Sequence, residues 1–164
     1  MRAFFAFTCV VFFAAMVIAL YQFPDEVPVH VDASGAPDRF QPRNVALGIL
    51  LVIGVVLMAV FEILIRVVPA KGLHALNLPH RDFWLRAENQ PRLRTRLTAD
   101  LSFLSGCAML LLSGVILVSA QVFDGVSPDL GVAGTLLLLV FAAVTLSYVV
   151  FMFTVRYKPR VLVR

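Results

Sequence analysis

Asn44–Val68 reads NVALGILLVIGVVLMAVFEILIRVV, an unbroken apolar run whose only charges, Glu62 and Arg66, lie near one end. A helix rising 1.5 Å per residue needs about 20 residues to cross a hydrocarbon core of about 30 Å. Working outward, Ala3–Phe23, Leu101–Ala120 and Gly131–Val155 meet the same test. The expected architecture is therefore all-α: a polytopic membrane protein with four transmembrane helices, forming one membrane domain over residues 1–164.

The composition agrees. Of the 164 residues, 60% are hydrophobic and 15% charged, with a mean hydropathy of +0.91. A soluble domain is nearer half apolar and about a quarter charged. The net charge of +4 would suggest a nucleic-acid partner if taken alone, but it is sorted by side. Twelve of the 14 Lys and Arg residues lie at the N-terminus, in the loop between the second and third spans, and in the C-terminal tail. Only Arg39 and Arg43 fall in the first loop, and none fall in the third. The positive-inside rule then predicts both termini on the cytoplasmic side of a bacterial inner membrane, with lipid as partner and no nucleic acid. Ala3–Phe23 lacks a clean small-x-small cleavage site before Gln22, so it reads as a retained signal anchor.

Small residues form a stripe in the third span: Ala99, Gly106, Ser113 and Ala120, with Ser102 on the same face. Ala15, Ala19 and Gly48 are their candidate counterparts on the first two spans. Such stripes let helix backbones approach closely in lipid, here within one four-helix bundle. Glu62 precedes Arg66 by four residues, and an i,i+4 pair near the membrane boundary accounts for it without a proton-carrying role. Cys9 and Cys107 read as small buried hydrophobes.

The second loop carries more than a connection. Asn77, Pro79, Phe83 and Trp84 open it, the two aromatics suiting an interfacial belt. Leu93, Leu97 and Leu101 then recur at four-residue spacing between Arg92, Arg94 and Arg96. Pro91 suits a first helical turn. That stretch is expected to lie on the membrane surface, with its arginines on lipid phosphates.

The first loop runs Phe23-Pro24-Asp25-Glu26-Val27-Pro28-Val29-His30-Val31-Asp32-Ala33-Ser34-Gly35-Ala36-Pro37-Asp38-Arg39-Phe40. Val27, Val29 and Val31 alternate with polar residues or proline, so a short extended segment is expected. Ala33–Asp38 reads as a turn, with Gly35 free to take positive φ and Pro37 fixing its own. His30 and Asp38 are expected to fasten the loop or to contact a ligand. A metal needs three or four converging donors, and no second His lies on that side. No Ser-His-Asp set, His-Glu-x-x-His pair or phosphate loop is present, so neither an enzyme nor a cofactor is expected.

Pro24, Val27, Pro28, His30, Gly35, Pro37 and Asp38 together resemble the signature of the N-terminal domain of SdpI-type membrane proteins, the bacterial toxin-immunity family, with one extra residue between Pro24 and Val27. The Asn77–Trp84 stretch resembles small relatives of that family. The resemblance implies a non-enzymatic membrane protein whose outer loop recognises a peptide toxin or another ligand. The alternative is a small accessory subunit docked on a membrane-protein partner.

Overall fold

The computed structural model describes residues 1–31, 37–123 and 130–159. Among these residues four helices are long and apolar enough to cross a membrane, which is the architecture of a multi-pass membrane protein. They are α1 (Arg2–Gln22), α2 (Arg43–Lys71), α4 (Gln90–Phe123) and α5 (Leu130–Phe151), the last continued by a π-helical turn, Met152–Arg156. A short helix α3 (Arg81–Trp84) and a 3-10 turn (Leu73–Ala75) lie between α2 and α4. Two strands, β1 (Glu26–Val31) and β2 (Pro37–Pro42), form an antiparallel hairpin between α1 and α2.

Side-chain contacts set the helix directions. Phe5 near the start of α1 meets Phe61 near the end of α2, ring edge to face at 6.3 Å, so those helices run antiparallel. Phe4 stacks on Phe103 of α4 at 5.7 Å, and Phe23 shares a cavity with Ile116 and Ser119, so α1 and α4 run parallel. Tyr148 of α5 returns to Phe103 at 4.2 Å, and Leu137 lies against Gly114. The bundle is up-down-up-down. Its core is Phe5, Phe12, Ala15, Ala19, Met109, Ile116 and Ala120, with α4 central and α5 packed on it from outside.

The small-residue stripe is used inside the bundle. Ser102, Ser113 and Ala120 are buried, as are Ala15 and Ala19. A Cβ on Gly106 would lie 2.5 Å from the Phe4 ring. On α2 the close approach is at Gly54, where a Cβ would meet Phe12 Cζ at 2.1 Å, and not at Gly48, whose Cβ would meet nothing within 4 Å. Three buried hydroxyls satisfy themselves locally: Thr8 donates to Phe5 O, Ser102 to Thr98 O and Ser113 to Met109 O, so these groups sit in the bundle with partners.

Two boundaries depart from expectation. The third span does not begin at Leu101 after a surface loop, because one continuous helix starts at Gln90. Pro91 is compatible with its first turn, where a missing N–H costs nothing. Pro37 and Asp38 begin β2 rather than closing a turn, because the strand pairs back on β1 out to Val31↔Pro37. Ala33–Ala36, including Gly35, lie outside the described residues.

Candidate functional site

At one end of the bundle stands the hairpin, and Arg43 fastens its base. The Arg43 backbone N–H donates to Asp25 O at 2.8 Å, its Nε to Pro24 O at 3.3 Å and its Nη2 to Asp25 Oδ1 at 2.5 Å. The first turn of α2 thereby holds the first residues after α1. The register slips twice: Pro28 pairs with Phe40, His30 with Arg39 and Val31 with Pro37. Val29 is thus an extra residue on β1 and Asp38 an extra residue on β2. Such bulges re-aim side chains. Here they bring His30 Nδ1 to 2.6 Å from Asp38 Oδ1.

Val27 is buried against the bundle, while Val29, His30, Arg39 and Phe40 face outward. Pro24 and Pro28 are half-buried. Below the strand, Phe23, Val27, Pro28, Ala46, Leu50 and Ile116 line an apolar cavity of about 260 Å³. Among the described residues no three His, Cys, Asp or Glu side chains gather as metal donors.

The opposite end holds a second constellation, centred on Asp100, which is 1% exposed. Its Oδ1 accepts from Tyr148 OH at 2.8 Å and its Oδ2 from Tyr157 OH at 2.6 Å. Arg156 Nε lies 2.7 Å from Oδ1, an ion pair without hydrogen-bond alignment. Trp84, also 1% exposed, donates from Nε1 to Tyr157 O at 2.8 Å. Arg96 donates to Arg156 O and lies over the Trp84 ring at 4.8 Å. Leu73, Leu93 and Leu97 complete this cluster. Burial first, then the hydrogen bond to Asp100, pushes the Tyr157 phenol far above the ordinary tyrosine range. The assembly ties the end of α5 to the start of α4 and to α3, where a left-handed His80 (φ 55) offers its carbonyl to the N–H groups of Phe83 and Trp84.

The sequence-derived residues therefore fall into two groups that do not meet. The hairpin group converges. Of the second-loop group, Trp84 is buried within the protein, and Phe83 packs edge-on against it at 5.1 Å. Arg94 donates to Pro69 O and Ala70 O at the end of α2, and Arg96 is held as above. Arg92 and Asn77 are exposed and Pro79 is half-buried. Sequence reasoning missed Asp100, Tyr148, Arg156 and Tyr157. The available signal was spacing: Leu93, Leu97 and Asp100 share one helical face once the helix is begun at Gln90.

A family model described as a domain of unknown function, DUF1648, matches residues 7–57. The match spans most of α1, the whole hairpin and the first half of α2, and it stops short of the Asp100 cluster. Neither the curated proteins nor the solved structures contain a match.

Proposed function

We propose that the chain is a non-enzymatic protein of a bacterial inner membrane, SdpI-like, with both termini cytoplasmic and the hairpin outside, and that the hairpin recognises a hydrophobic peptide at the outer face. The observation that carries this reading is the contrast within the hairpin: its base is fastened by Arg43, while the apolar side chains of Val29 and Phe40 stay exposed. Exposed apolar groups on an anchored loop offer a partner apolar surface to bury, and pre-ordering the loop lowers the entropy cost of binding. The cavity under β1 is of a size to take one apolar side chain of such a peptide. The unit that displays these features is the one that the DUF1648 model matches.

The rival reading is an accessory subunit, and the outward face of α5, a span packed chiefly on α4 among the described residues, favours it. A photo-crosslinker placed at Phe40 in intact cells should capture an extracytoplasmic peptide or its precursor. One placed at Leu139 on the exposed face of α5 should give lipid adducts. Capture of a stoichiometric membrane protein from Leu139, with nothing at Phe40, would replace the first reading by the second.

A further inference from the structure

The end of the bundle that carries Asp100 has a second, separate opening of about 350 Å³. Three helices each contribute one guanidinium to it: Arg2 from α1, Arg66 from α2 and Arg94 from α4. Glu62 offsets one of the three charges, its Oε1 taking Arg2 Nη2 at 3.3 Å and also Arg66 Nε. Two positive charges remain uncompensated within this group. Arg94 is set in place by its bonds to the Pro69 and Ala70 carbonyls, whereas Arg2 and Arg66 are exposed and share the single Glu62 oxygen, so a ligand phosphate competes with that carboxylate for them. Ile65 and Pro69, both buried, form the apolar floor beneath the charges.

We propose that this cleft binds a phosphate group flanked by apolar chain, the chemistry of an anionic lipid headgroup. Guanidinium forks match phosphate oxygens in pairs, which lysines do not, and basic pockets between transmembrane helices take such headgroups. Leu64 and Val67, exposed on the same stretch of α2, give a lipid acyl chain a contact that inorganic phosphate cannot use, although the phosphate itself is recognised in the same way from either source. This site is separate from the hairpin and does not depend on its function.

Native mass spectrometry of the full-length protein released from neutral detergent tests the site, with phosphatidylglycerol, phosphatidylcholine and inorganic phosphate as probes. Phosphatidylglycerol should bind more tightly than phosphatidylcholine. The Arg2→Gln/Arg66→Gln variant should weaken phosphatidylglycerol at least tenfold, while Arg86→Gln, at an exposed arginine outside the cleft, should change it less than twofold. Glu62→Gln removes the competing carboxylate and should tighten binding several-fold. This opposite sign separates a ligand site from a fold defect. Competition by millimolar inorganic phosphate, lost in the same double variant, would keep the site and assign it to free phosphate. Equal weakening by Arg86→Gln, or an unaffected double variant, would reduce the effect to diffuse surface charge and overturn the site. Weaker binding in Glu62→Gln would overturn it as well.

Discussion

At the residue scale the molecule turns on Asp100. A carboxylate removed from water needs hydrogen bonds and a counter-charge; two phenols supply the first and the Arg156 guanidinium the second. Leaving a buried charge without its partner typically costs about 3–5 kcal/mol, and here part of that is relieved because Arg156 keeps some access to water. Asp100→Ala is therefore expected to destabilise by about 2–4 kcal/mol, read as a lower melting temperature in detergent. Trp84 is the chain's single tryptophan and sits in the same cluster, so its fluorescence reports the loss directly. An unchanged melting temperature would remove Asp100 from the core of the account. Tyr157 makes a pH prediction. Its folded pKa is raised, so the stability it contributes is fully present below the unfolded tyrosine value of about 10. It is lost as pH rises from there toward the folded value. Melting temperature should fall above about pH 10, and fall less steeply in Tyr157→Phe. Equal slopes would mean that other groups govern the alkaline limb.

At the scale of elements the hairpin and the α1–α2 contact make separate claims. The His30–Asp38 pair is short, yet its side chains are 55% and 44% exposed, and exposed pairs contribute only about 0–1 kcal/mol. His30→Ala and Asp38→Ala should each cost less than about 1 kcal/mol, and less than additively together. Arg43→Ala removes two side-chain bonds to the segment after α1 and should cost about 1–2 kcal/mol, with faster amide exchange confined to the hairpin. If His30→Ala loosened the hairpin more than Arg43→Ala, the base would not be its anchor. Between α1 and α2, Gly54→Ala forces a methyl into the fully buried Phe12 ring and should cost about 1–3 kcal/mol, while Gly48→Ala meets open space and should be neutral or slightly stabilising. Thermal unfolding of the two variants side by side decides this, since a similar cost for both would mean that the contact at Gly54 relaxes.

For the whole molecule the testable matter is which end faces which side. The hairpin and the Asp100 cluster lie at opposite ends of the same bundle, and the topology proposed above from the Lys and Arg asymmetry puts the latter on the cytoplasmic side. In a variant lacking Cys9 and Cys107, Arg39→Cys should react with an impermeant thiol reagent added to intact cells, and Ala75→Cys should react only after lysis. Both positions are exposed, so accessibility is not the obstacle. Labelling at position 75 in intact cells would invert the molecule, and with it the proposed role of the hairpin.

The four apolar helices and, except for the start of the third, their approximate limits were legible in the sequence, because lipid demands a continuous apolar length and leaves that demand written locally. The period-two valines likewise announced β1, since the alternation is local. The packing was not legible. Gly48 and Gly54 are alike in sequence, and only the position of Phe12 on the neighbouring helix makes one of them a close contact. Arg94, Arg96 and Trp84 carry the composition of a membrane-surface loop, but tertiary structure turns all three inward, because the ends of α2 and α5 bring carbonyls that need donors. Asp100 reads as a loop acid until residues 48 and 57 positions further on return to it. A single chain records which segments must be buried in lipid. Which of their polar groups meet one another is decided by contacts far apart in the sequence.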